Sequence, residues 1–213
     1  MNSRALRYAT FACATVGLAI YSISFVAAQV AEVKAIRDLG LVVELEPLPP
    51  NLKGDEFSKI KNVCIPPDWN GKLESLDTLK KIQPREFGQH TLYLLGPSKI
   101  TFEMVEPIAT RLGWKVGRSP AVFVGITWNF KTPPFTVLYV VPHSPASVCA
   151  VMKGDTIKKI GVEEIRDYAT FRDSLLKYLP GDETVLMLDR DGSELELTLK
   201  LAALPSNVNR PEN

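Results

Sequence analysis

Apolar and polar positions along this chain alternate with several distinct periods, and each period predicts a different kind of element. From Ala9 to Val30 there is no charged side chain, a run about as long as a helix needs to cross the hydrocarbon core of a bilayer. Ala31 to Leu39 fits a short helix, and Gly40 ends it where a left-handed cap is easily adopted. Leu41-Val42-Val43-Glu44-Leu45 then reads as a strand. Pro47, Pro49, Pro50, Asn51 and Gly54 break regular structure and predict a loop. Beyond it the pattern repeats. Val63-x-Ile65, a turn-rich Pro66 to Gly71 and a helical face of Leu73, Leu76, Leu79 and Ile82 make one copy. Leu92-x-Leu94, the run Gly96 to Thr101 and a face of Met104, Val105, Ile108 and Leu112 make the second, with matched positions 29 residues apart. Flanking strands at Leu41 to Leu45 and Trp114-Lys115-Val116 would cap the two copies into a small α/β unit.

From Ser119 onward the period shortens. The apolar-Gly-apolar run Phe123-Val124-Gly125-Ile126 opens a strand that continues through Thr127, Trp128 and Asn129. A glycine there takes bend dihedrals cheaply and leaves backbone N–H groups bare, and such a turn can hold a carboxylate. Leu138 to Val141 reads as a buried strand, Pro142 to Ala146 as a turn starting a short helix, and Thr156 to Ile160 as a second buried strand. An amphipathic helix runs from about Asp167 to Tyr178 and stops at Pro180-Gly181-Asp182. A hairpin around Asp191-Gly192 closes the segment.

The order Val124-Gly125-Ile126, Ser144-Pro145-Ala146, Lys153-Gly154-Asp155 with Ile157 and Ile160, Pro180-Gly181-Asp182 and Arg190-Asp191-Gly192 resembles a PDZ domain, in the bacterial arrangement found behind the catalytic domain of HtrA-type serine proteases. The resemblance covers residues 119–204. It implies a partly open β-barrel with two helices, and a groove in which the C-terminal residues of a partner add as an extra strand. By the same resemblance, Phe123, Val124, Gly125 and Ile126 would hold the terminal carboxylate, Thr127 and Trp128 would pair with the ligand backbone, and Phe171 and Leu175 would line an apolar pocket. Arg172 and Thr170 would stand at its rim. Three departures qualify the groove: Ala150 stands where a glycine is common, residues 129–134 make a longer loop, and Trp128 is large for a position a ligand must pass. A groove closed into a fixed docking surface is the competing reading. The 29-residue period of residues 31–118 resembles leucine-rich repeats of about 20–29 residues, against a plain helix-strand alternation with no repeat ancestry.

The fold class is therefore α+β: a PDZ-like domain, a small repeat-like α/β unit, an N-terminal membrane segment over residues 1–30 and a disordered tail over 205–213. Composition adds little: 213 residues, 46% hydrophobic, with a formal net charge of +1. No basic stripe interleaved with aromatics is present, so no nucleic-acid partner is expected. Arg4 and Arg7 precede the apolar run, which puts Met1 in the cytoplasm and the bulk of the chain across the membrane. A cleaved signal peptide, cut near Gln29 after Val26-Ala27-Ala28, also exports everything after Glu32; its apolar core is normally shorter. Cys64 and Cys149 sit among apolar neighbours far apart in sequence, and read as small buried hydrophobes. With two histidines and no CxxC, no metal or cofactor is expected.

Catalysis has no signature either. Ser144 lies beside His143, but neighbours on an extended run face opposite ways, so the pair reads as turn chemistry. Glu163-Glu164 and Asp189-Arg190-Asp191 read as solvated charges. The expected function is a membrane-anchored, non-enzymatic module that binds C-terminal or extended peptide segments outside the cytoplasm. The rivals are a structural docking protein with a closed groove and an adaptor of a separate envelope protease.

Overall fold

A computed structural model of the chain describes residues 30–46, 59–82, 88–129 and 134–204. The run Ala9 to Val30, apart from Val30, and the tail 205–213 lie outside these residues. Among the described residues no helix is long and apolar enough to cross a membrane.

The first unit holds helix α1 (residues 30–38) and strands β1 (Val42–Leu45), β2 (Ile60–Ile65), β3 (Thr91–Leu95) and β4 (Lys115–Ser119). A 3-10 helix (Leu73–Lys81) lies between β2 and β3, and α2 (Phe102–Leu112) between β3 and β4. The strands stand in the order β1-β2-β3-β4, so β1 and β4 are the outer strands on either side of β2 and β3. In the parallel pair β2–β3, Val63 lies opposite Leu92 and Ile65 opposite Leu94, so matched positions are lateral neighbours. Leu76 and Val105, also a matched pair, are both fully buried.

The two helices are not the same kind. Leu73, Leu76, Leu79 and Ile82 recur every third residue, and a 3-10 helix with three residues per turn puts all four on one face. In α2 the buried set Val105, Ile108, Ala109 follows the α period instead, and Gly113 closes it at φ +70°. The Trp69 indole caps the same core, donating to the Leu39 carbonyl at 2.8 Å and covering Gly71 so closely that no Cβ would fit there. At one end of the sheet Asn62 bridges the Glu44 carboxylate (3.0 Å) and the Thr91 amide (3.1 Å), a buried polar link between β1 and β3.

The second unit comprises β5 (Val122–Phe123), β6 (Ile126–Trp128), β7 (Val137–Val140), helix α3 (Pro145–Val148), β8 (Thr156–Ile160), β9 (Glu163–Glu164), helix α4 (Tyr168–Leu175), β10 (Glu183–Arg190), β11 (Ser193–Lys200) and β12 (Ala202–Ala203). They form a four-stranded sheet β11-β10-β8-β9 and two ribbons, β12-β5 and β6-β7. Leu186 and Leu188 alternate inward with Leu199 and are fully buried, which is what period-2 strands do when one face is covered, and Ile157 and Ile160, three apart, are both buried because the pairing of β8 with β10 slips between them. The hairpin turn is Asp191 (φ +52°) and Gly192 (φ +83°), the two positive values a type I′ turn requires.

Two expectations change. Leu138 and Tyr139 are half exposed rather than buried: Tyr139 pairs with the exposed Thr127, and the β6–β7 register slips between Thr127 and Trp128 and leaves Leu138 outside the pairing. Arg190 is no solvated charge: its guanidinium grips the buried Asp155 carboxylate with Nε at 2.7 Å and Nη2 at 2.8 Å, and also donates to the Ala150 carbonyl.

Strand β4 runs on through Gly117 to Ser119, so the link between the units is only Pro120 and Ala121. The units touch there. Cys64, Leu95 and Ala121 form a small shared core, and a Cβ on Gly96 would meet the Ala121 Cβ at 2.9 Å and the Tyr178 carbonyl at 3.4 Å.

Candidate functional site

The site begins with two carbonyls. The Val124 carbonyl accepts from the Ala146 amide at 2.9 Å, and the Gly125 carbonyl from the Val141 amide at 2.8 Å and the Ser144 hydroxyl at 3.4 Å. In a planar trans peptide the C=O and N–H point in opposite directions. The N–H groups of Gly125 and Ile126 are therefore aimed away from α3 and from Val141. Among the described residues the amides of Val124 and Gly125 donate to nothing.

Gly125 is required twice over. Its φ is +86°, and a Cβ would fall 2.1 Å from the Ser144 Cβ. Ser144 is itself buried as the N-cap of α3, accepting from the Ser147 amide at 3.2 Å. His143, its neighbour, is exposed at φ +60°. The pair is thus turn and cap chemistry, with the serine hydroxyl tying α3 to the Gly125 loop.

From that loop β6 leads away, hydrogen-bonded to β7 on one edge only. Thr127 pairs with Tyr139, and antiparallel strands alternate between bonded and non-bonded residues. With Gly125 bonded to Val141, the Ile126 N–H and C=O face the edge away from β7. That helix is fixed at its start by a capping box: the Asp167 carboxylate accepts from the Thr170 amide at 2.6 Å, and the Thr170 hydroxyl from the Asp167 amide at 3.0 Å. The Thr170 amide, then its hydroxyl, hold the Asp167 carboxyl below its ordinary range. Thr170, expected at the rim, is half-buried and serves this cap. The helix ends at Leu175, three residues short of Tyr178, whose amide closes a turn on the Leu175 carbonyl.

Ile126 is half-buried, and Leu175 and Phe171 face the core at 3% and 9% exposure. Trp128 is 3% exposed, its ring meeting that of Phe171 edge-on with centroids 3.9 Å apart. Both aromatic rings are core members that close the space between β6 and α4 at that level. Arg172 is half-buried beside them, donating from Nε and Nη2 to the adjacent Asp173 carboxylate. Phe123 packs its ring edge beside Gly125, and Thr127 is exposed. The candidate residues are thus gathered along one edge and one helix, with Trp128 and Phe171 as walls rather than open contacts.

Behind the site, Ala150 takes φ +63°, the left-handed value that glycine adopts freely. Asp155 buries its carboxylate under Arg190 and the Met152 amide (2.8 Å). Burial raises its pKa, but the Arg190 and Met152 hydrogen bonds outweigh it and hold the group below the usual range. Sequence reasoning missed this pair because its members are 35 residues apart and each occupies an ordinary turn. Two clefts, of about 600 and 350 Å³, lie in the first unit, lined by Phe102, Trp114 and Val116 and by His90, Arg111 and Trp114. Neither borders Gly125. Among the described residues no three His, Cys, Asp or Glu side chains are placed to hold a metal ion.

No family model and no curated protein matches the chain. Among solved structures it is similar to the HtrA-type protease AlgW with a decapeptide, at 18% identity and TM-score 0.40, over 50% of this chain and 36% of that one. It is similar also to the HtrA3 PDZ domain bound to a phage-derived ligand, at 22% identity and TM-score 0.35, over 39% of this chain and 86% of that one. The serine endoprotease from Yersinia pestis matches at 20% identity and TM-score 0.39, over 50% and 37%. The matches thus span only about a third of the protease chains.

Proposed function

We propose that this chain is a non-catalytic, PDZ-like binding module that takes the C-terminal tail of a partner protein as an added strand on β6. One observation carries the reading: both carbonyls of the Val124-Gly125 turn are held by the protein's own amides, which turns the Gly125 and Ile126 N–H groups away from α3 and Val141. Those donors would take the tail's carboxylate, the free edge of Ile126 would take its backbone, and Ile126 and Leu175 would receive an apolar last side chain. Residues 31–118 are, in this proposal, a two-copy repeat stub that holds the module. The Ala9 to Val30 run anchors it in a membrane with the module outside the cytoplasm.

The test is binding of labelled peptides with an apolar last residue, each made as the free acid and as the C-terminal amide, followed by fluorescence anisotropy. A charge-assisted hydrogen bond is worth about 1.5–3 kcal/mol, so amidation should weaken binding about tenfold or more. Equal binding of acid and amide refutes carboxylate capture. The burial of Trp128 and Phe171 favours a second reading, a closed groove acting as a fixed docking surface, and failure of every free-acid peptide to bind would support it. Co-purification of a protease with the chain would instead support a role as that enzyme's adaptor.

A further inference from the structure

Strand β4 ends the first sheet, with β3 on one side and, among the described residues, no strand on the other. Its Lys115 amide donates to the His90 carbonyl and its Ser119 carbonyl accepts from the Gly96 amide, both toward β3. Backbone groups alternate sides along a strand, so Lys115, Gly117 and Ser119 turn their N–H and C=O to β3, while Val116 and Arg118 turn theirs outward. Among the described residues the outward groups have no partner. Beside them lies the cleft of about 600 Å³, lined by Phe102, Glu106, Ala109, Trp114 and Val116.

An edge with bare donors and acceptors is a template for another strand, and this one fits a second copy of itself. In an antiparallel pair, two opposed residues exchange both hydrogen bonds, and the next opposed pair exchanges none and lies closer. A twofold axis through Gly117 sets Val116 opposite Arg118 of the second copy, and Arg118 opposite its Val116. Every outward group is then paired, and the two glycines meet at the closer position with no side chain between them. An axis through Val116 would set Arg118 against Trp114, whose N–H is already given to the Ala109 carbonyl. An axis through Arg118 would oppose like charges and bring Pro120, which lacks an N–H, against Val116.

The side chains agree with that register. Val116 packs into the core beneath α2, and the Arg118 guanidinium lies over the Phe102 ring, 5.3 Å from its centroid, so both are on the α2 face. Directly opposed residues share a face, which brings Arg118 of the second copy into the cleft beside Glu106. Both side chains are exposed in the single chain, and the symmetry makes the contact twice.

We infer that the chain forms a twofold dimer through the outer edge of β4, with the axis at Gly117, joining two four-stranded sheets into one. This surface belongs to the first unit and is independent of tail binding beside Gly125.

The experiment measures the mass of the full chain in detergent by light scattering, with the detergent's share subtracted, across a dilution series. The wild type should run at twice the chain mass. Arg118→Glu, and separately Glu106→Arg, place like charges together in the cleft and should raise the dissociation constant about tenfold or more, the worth of a charge-assisted hydrogen bond. The double variant restores opposite charges and should return to within about threefold of the wild type. Arg118→Pro removes an outward N–H without touching the bonds to β3 and should give a monomer. A wild type that is monomeric at every concentration overturns the inference. So does a dimer that none of these changes weakens, and a double variant that fails to recover overturns the register. Should the proline variant fail to fold, the two charge variants and their combination still decide, since both positions are exposed.

Discussion

Replacing Gly125 by alanine tests the geometry of the loop directly. The added methyl meets two separate obstacles. At φ +86° an L side chain sits in the left-handed region, at a cost of about 1–2 kcal/mol. Its Cβ would also lie 2.1 Å from the Ser144 Cβ and 2.3 Å from its Oγ, so the turn or the start of α3 has to move. Overpacking of that kind costs about 1–3 kcal/mol. The sum, about 2–5 kcal/mol, is a large share of a domain's marginal stability of about 5–15 kcal/mol. Ser144→Gly separates the two parts. It removes the atoms in the way while costing the cap only a few tenths of a kcal/mol (roughly 0.3), so in that background Gly125→Ala should cost only the dihedral part, about 1–2 kcal/mol. Urea unfolding of the four proteins, followed by tryptophan fluorescence, gives the cycle, with Trp128 reporting from the unit concerned. A penalty for Gly125→Ala that is the same in both backgrounds would show that Ser144 is not what confines the loop.

Ala150→Gly should raise stability by about 1 kcal/mol, the left-handed cost less the entropy glycine adds to the unfolded chain; a lowered unfolding midpoint refutes strain there. The Asp155 carboxyl is held below its unfolded value near 3.9, so its stabilisation is complete above that pH and is lost as pH falls through the folded value. Asp155→Asn should flatten the acid limb of a pH–stability curve below about pH 4, and an unchanged limb counts against the pair. Arg190→Met strands a buried carboxylate and should lower the melting temperature more than Arg172→Met, whose partner Asp173 is exposed. Alkaline extraction of membranes should leave the full chain in the pellet if Ala9 to Val30 is an anchor; release into the supernatant refutes it.

Much of this fold is written in local spacing. The three-residue recurrence of Leu73, Leu76, Leu79 and Ile82 specifies a 3-10 helix, although it passes at first for an α face because one turn of either looks alike. Val63 lies beside Leu92, 29 residues on, whereas the next parallel pair sets Leu92 beside Val116, 24 residues on, so one sequence period does not set the register of the whole sheet. What spacing does not carry is contact between distant turns. Nothing near Asp155 announces Arg190, and nothing near Trp128 announces Phe171; each meeting depends on how sheets and helix stack. Leu138 fails for a related reason, because a one-residue slip in pairing exposes an apolar side chain that alternation would bury. For the candidate groove, the Gly125 turn and the bulk of Trp128 are legible in the sequence, whereas the ring that Trp128 packs against, Phe171, is not.

Gly96 sits where the end of the parallel sheet abuts both Ala121 and the Tyr178 carbonyl, and only Pro120 and Ala121 join the halves. So short a coupling leaves little slack for swivelling. Cargo seized beside Gly125 would be carried at one set bearing to the preceding sheet, as by a hook forged in one piece with its shank and not swung from a chain.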